Sequence, residues 1–259
     1  MSTPFANYQP ERQAFDALFQ PDCQKRILMF SGESGSGKTL LLSYCLESRV
    51  PESVTCVPIE LRGSAVSVAE IFHRSGGILK WDRLPNFTKQ VANIQGIPQV
   101  QINNNKISGF KTHISVALQI ESQEIREQRR AALTEALFDD LEDFNQPVLF
   151  ALDTYEKATT EVQEWISGPF LFRASQSEQV RVLVAGQTIP NGINIEWRSR
   201  CETRHLYGVP NAEHWLPVVQ GMKRRIPAND PLSWLACLCQ LSNGRPSEIM
   251  KYLQGLPIL

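Results

Sequence analysis

The residues from Gly32 to Thr39, Gly-Glu-Ser-Gly-Ser-Gly-Lys-Thr, fit the pattern G-x-x-x-x-G-K-[S/T]. Gly32, Gly35 and Gly37 let the main chain curl with its N–H groups facing inward, and a helix starting at Lys38 would turn its positive end toward the same point. A polyphosphate fits such a cradle. Lys38 is expected to lie against the β and γ phosphates, and the Thr39 hydroxyl to be a ligand of Mg²⁺. Glu33, Ser34 and Ser36 complete the loop, and Leu40 is the first apolar residue of the helix behind it.

Three further side chains belong to the same chemistry. Asp153 closes the apolar run Val148-Leu149-Phe150-Ala151-Leu152, at the carboxyl end of a strand, where open α/β sheets bind ligands and where an Asp can hold Mg²⁺ through its water shell. Glu156, three residues on, is the candidate to orient or deprotonate a water, although the commoner arrangement puts a carboxylate where Thr154 stands. Gln187, after the next apolar run, could bond the γ phosphate or that water, or simply close a turn. The catalytic set is therefore Lys38, Asp153, Glu156 and Gln187, with Thr39 and Asp153 at the metal. Arg198 and Arg200 are weighed as a charge for phosphate, in cis or toward a neighbouring subunit, against ordinary surface pairing.

The elements that must carry these residues alternate strand and helix. A short helix lies within Asn7 to Phe19. Ile27–Phe30, Val54–Leu61, Val148–Leu152, Val180–Ala185 and a segment near Thr203–Tyr207 read as strands, with Pro58 placing the second at an edge. Helices are expected after the glycine loop, over Val66–His73, over Ser122–Phe144, and as a crossover over Glu161–Phe172. From Gly76 to Thr112 the Gly, Asn, Gln and Pro content, with an alternation around Val100 and Ile102, suggests an added hairpin or a long insert. After the last strand only helical patterns remain: Ala212–Met222, Pro231–Leu241 and Pro246–Leu253. The expected fold is α/β, a doubly wound parallel sheet forming a P-loop core over 1–208, with a small C-terminal helical lid over 209–259.

The bulk numbers close off other classes. The 259 residues carry 26 basic and 27 acidic side chains, so no chain-wide field favours nucleic acid. Arg126, Arg129 and Arg130, and Lys223, Arg224 and Arg225, read as solvated helix faces. No apolar run approaches the ~18 residues that span a bilayer, and no signal peptide is visible. A cytoplasmic protein with no membrane partner is expected. The six cysteines are scattered, without zinc spacing, and read as reduced thiols mostly in the core.

With the glycine loop, the Asp153-Thr154-Tyr155-Glu156 turn and the segment Ala185-Gly186-Gln187-Thr188-Ile189-Pro190 in view, the chain resembles the STAND class of AAA+ related NTPases. Asn7 to Arg12 is similar to the opening segment that packs near the base in that class. Gly244-Arg245-Pro246 is similar to its G-x-P motif, whose proline touches adenine. The resemblance implies an ATP- or ADP-bound switch, with Arg12 and Pro246 at the nucleotide and hydrolysis controlling self-assembly, as a homo-oligomer when ATP is bound, or contact with protein partners. It also implies a bare switch module or a fragment, since no sensor repeats or effector domain are recognisable. The competing readings are a small-molecule P-loop kinase and a scaffold that binds nucleotide without turning it over. A GTPase is disfavoured because Asn105-Lys106-Ile107-Ser108 lacks the Asp of N-K-x-D.

Overall fold

The computed structural model describes residues 6–63, 66–96, 110–119, 122–191 and 195–258. In chain order the elements are α1 (Gln9–Ala17), β1 (Ile27–Ser31), α2 (Lys38–Ser48), β2 (Thr55–Glu60), α3 (Val68–Leu79), α4 (Pro85–Gln95), α5 (Phe110–Leu118), α6 (Gln123–Glu142), β3 (Val148–Asp153), α7 (Thr160–Trp165), α8 (Leu171–Gln176), β4 (Val180–Gly186), α9 (Ile195–Arg198), β5 (Cys201–His205), α10 (Leu216–Gly221), α11 (Pro231–Leu241) and α12 (Pro246–Gln254).

The five strands form one parallel sheet in the order β2-β3-β4-β1-β5. Burial follows strand position. Every residue of β3 and β4 is buried, as continuous apolar runs require when both faces are covered. β2 alternates along its length and sits at an edge, where the missing N–H of Pro58 costs no ladder bond. One face of the sheet, with Met29, Val57, Phe150, Val182 and Val184, packs under α3 to α8. The other, with Leu28, Phe30, Leu149, Leu183 and Ala185, packs against α1, α2 and the helices α10 to α12. The sheet is thus the middle of three layers.

Three expectations need correction. Residues 76–96 are helical, not a hairpin or an irregular insert: α3 runs on to Leu79, a 3₁₀ turn covers Trp81–Arg83, and α4 follows. Pro85 starts α4 and Gly96 ends it in the left-handed region, so the Pro and Gly that suggested a loop are helix boundaries. The alternation at Val100 and Ile102, and the Asn105–Ser108 segment, lie outside the described residues. The crossover helix is broken: Gly168 has φ −98° and ψ −106°, with Pro169 beside it, and a wide turn over Ile166–Phe170 separates α7 from α8. The first basic run is not a purely solvated face either, because Arg130 is buried and its Nη2 donates to Glu161 Oε1 at 2.7 Å.

All six cysteines are free, but only Cys45 and Cys239 are buried, and Cys237 is exposed, so the core location expected for most of them holds for two. Among the described residues no helix is long and apolar enough to cross a membrane.

Candidate functional site

A parallel sheet delivers all its carboxyl ends to one side, and the crossovers leave a crevice there. Ser31, Glu60, Asp153, Gly186 and His205 end the strands on that side. Along it lies a cavity of about 350 Å³ lined by Ser34, Gly35, Gly37, Lys38, Thr39 and Leu40 from the glycine loop, by Asp153, Thr154 and Glu156 after β3, by Gln187 after β4, by Arg62 after β2, and by Pro246, Ser247 and Met250 of α12. Residues 212 positions apart from Ser34 to Pro246 thus share one wall.

The loop conformation depends on its glycines at two points. Gly37, at φ 92°, is the residue before α2, and a side chain there would be strained. Gly35, at φ 80°, lies so close to α12 that a Cβ would fall 2.1 Å from Ser247 Oγ. The loop is braced by residues far from it in the chain. Tyr8 OH donates to Ser36 O in a short bond, and Ser247 N donates to Gly35 O at 3.1 Å. Arg245 Nη2 donates to Glu33 Oε2 at 2.6 Å. No side chain caps the start of α2, and among the described residues no acceptor meets the N–H groups of Gly35, Gly37, Lys38 or Thr39. This is the donor array that an anion at a helix N-terminus satisfies.

Lys38 is buried, and its Nζ donates to Gly32 O at 2.8 Å and Glu33 O at 2.8 Å, with Ser36 Oγ at 3.4 Å. Burial lowers its pKa from the usual lysine value, while the charges of Glu156 and Asp153 push it back up. The ammonium is held on main-chain carbonyls, and Asp153 and Glu156 line the same cavity. Asp153 is fixed by Thr154 N, which donates to its Oδ1 at 2.8 Å. Thr154 takes φ 60°, and this left-handed residue turns the chain so that Glu156 comes back over the cavity. There the main-chain N–H of Gln187 donates to Glu156 Oε2 at 2.8 Å and its Nε2 to Oε1 at 3.2 Å. A two-point contact of this kind fixes the carboxylate plane.

Of the residues singled out in the sequence, Ser34, Gly35, Gly37, Lys38, Thr39, Leu40, Asp153, Glu156, Gln187 and Pro246 come together in this cavity. Glu33 and Ser36 line a neighbouring hollow with His205, Tyr207 and Arg245. Gly32 packs instead under Leu206. Arg12 is not at the cavity; its guanidinium lies over the Tyr44 ring, 5.6 Å from the centroid. Arg200 stands at the opposite end of the sheet, where its carbonyl accepts from Arg26 N and Ile27 N and its Nη1 donates to Gln24 Oε1 at 2.5 Å. Arg198 ends α9, two residues earlier, so neither arginine reaches the cavity in cis. Sequence reasoning missed Tyr8, Arg62, Ser247 and Met250. Only Arg62, just past a strand end, left a local signal.

Among the described residues no group of three or more His, Cys, Asp or Glu side chains could hold a metal by itself. A Thr hydroxyl and one Asp suit Mg²⁺ nonetheless, because that ion retains waters and takes phosphate oxygens as its remaining ligands. A scan of protein-family models finds none that matches this chain, and a search of curated proteins finds no significant match.

Proposed function

We propose that this protein is a Mg²⁺-dependent ATP-binding switch of the P-loop type, with slow hydrolysis, whose nucleotide state controls assembly or signalling in the manner of the STAND class. The observation that carries the reading is one cavity, at the carboxyl ends of the strands, lined by unaccepted main-chain N–H groups and a buried lysine after β1 and by two carboxylates after β3.

In this reading the N–H groups of Gly35, Gly37, Lys38 and Thr39 and the Lys38 ammonium hold the β and γ phosphates. Thr39 and Asp153 hold Mg²⁺, which neutralises phosphate charge when bound. Glu156 takes the proton of the attacking water, and Gln187 keeps its carboxylate in plane. Leu40, Pro246 and Met250, the apolar part of the lining, take the base. Because Ser247 and Arg245 are bonded to the loop itself, any change in the loop on exchange of triphosphate for diphosphate is passed directly to the C-terminal helices, which act as the lid.

One observation favours a second reading, a scaffold that binds without turnover: both oxygens of Glu156 are already engaged by Gln187. Phosphate release and elution size decide between them. The switch requires measurable phosphate release with MgATP, an elution volume that differs between ADP and a non-hydrolysable ATP analogue, and, in Glu156→Gln, retained binding with turnover slowed about a hundredfold. Tight ATP retention with no phosphate and no change in size would leave the scaffold.

A further inference from the structure

The cavity wall carries a cation, Arg62, that does not belong to the glycine loop. In the sheet order, the glycine loop follows β1, Gln187 follows β4, Asp153 and Glu156 follow β3, and Arg62 follows β2. β1 and β2 are separated by two strands, so their ends stand about 14 Å apart at the usual spacing between strands. Arg62 therefore enters from the side that the loop cannot reach.

Its backbone is firmly placed. Leu61, fully buried, extends the β2–β3 ladder one step by donating its N–H to Asp153 O at 2.9 Å. Arg62 follows directly, beside the Asp153–Thr154 turn. Its guanidinium makes only a loose pair with Glu60, 3.6 Å between Nε and Oε1, and both side chains are mostly exposed, 67% and 61%. Pairs of that kind hold a side chain weakly. Among the described lining residues Arg62 and Lys38 are the two cations, and Asp153 and Glu156 the two anions.

A polyphosphate whose inner groups lie on the loop directs its outer end toward Asp153 and Glu156. Those carboxylates repel it, and Lys38 meets its charge only from the loop side, where its Nζ also bonds Gly32 O and Glu33 O. We infer that Arg62 binds the terminal phosphoryl group of the bound triphosphate and makes the site prefer ATP over ADP. The inference rests on the nucleotide-binding reading above and adds a specificity residue to it. An arginine fork suits this position because its planar pair of N–H donors can bind two oxygens of one phosphoryl group in fixed geometry, where a lysine acts as a point charge.

The test is calorimetric titration of the full chain with a non-hydrolysable ATP analogue and, separately, with ADP, each with Mg²⁺. In Arg62→Ala the analogue should bind about tenfold more weakly while ADP changes by less than about twofold. Arg62→Lys should fall between wild type and Arg62→Ala for the analogue. Equal loss for both nucleotides, or no loss for either, overturns the assignment of Arg62 and leaves the nucleotide site standing. Failure of the unaltered protein to bind either nucleotide overturns the parent reading, and this one with it.

Discussion

The two ends of the sheet treat buried positive charge in opposite ways. Near the amino ends of β1 and β4, Arg26 and Arg181 are 5% and 8% exposed, and acceptors surround them. Arg26 Nε donates to Ser177 O at 3.1 Å and its Nη2 pairs with Glu178. Arg181 donates to Leu18 O at 2.8 Å and to Glu178 O and Val180 O at 3.0 Å each. Burial lowers the Arg181 pKa to about 10, helped by the neighbouring Arg26 charge, yet its hydrogen bonds hold it. At the carboxyl ends Lys38 is equally buried, at 9%, but it bonds only to its own loop and, among the described residues, forms no ion pair with the carboxylates opposite. Among the described residues the N–H groups of Gly35, Gly37, Lys38 and Thr39 meet no acceptor. A buried charge that serves only stability is matched on every side, whereas a site for a ligand that comes and goes leaves the matching to the ligand.

This contrast predicts how substitutions divide. The largest effect on stability should come from the matched end: Arg181→Met strands three carbonyls and should cost about 3 kcal/mol in urea unfolding, while the melting temperature still rises on adding MgATP. Loss of that rise with stability intact would break the division. Gly35→Ala, at the open end, should cost about 2 kcal/mol because it combines a left-handed residue with a collision at Ser247, and it should also weaken nucleotide binding. Tyr8→Phe removes the hydroxyl bonded to Ser36 O and should cost about 1 kcal/mol by the same unfolding assay. Arg245→Ala breaks a pair whose members are 45% and 76% exposed, so the expected loss of stability is below about 0.5 kcal/mol. A loss as large as that of Gly35→Ala would show that the loop is braced from outside far more strongly than solvent-exposed charges allow.

The core strands and the loop were readable because their signals are local. β3 and β4 are unbroken apolar runs since both faces are covered, and the glycine spacing sits between a strand and a helix as the motif requires. The braces were not readable. Asn7 to Arg12 and Gly244-Arg245-Pro246 stand out by resemblance, but Tyr8, Arg245 and Ser247 reach the loop across long stretches of chain, and nothing local says that they bond it. The failure over residues 76–96 has a different cause. Composition suggested a loop, while Pro85 at the first turn and Gly96 at the end are the residues that bound a helix. For Arg198 and Arg200 surface pairing is the favoured reading of the sequence and neither lines the cavity, but their distance from it becomes visible only once the direction of β5 is known.

The most direct test of a nucleotide-binding loop is equilibrium titration of ATP with Mg²⁺ into the unaltered protein and into Lys38→Ala. One saturable site per chain, weakened about a hundredfold by the substitution with little change in melting temperature of the unliganded protein, is the expected result. Equal affinity in the two proteins, or no binding by the unaltered chain, would contradict it.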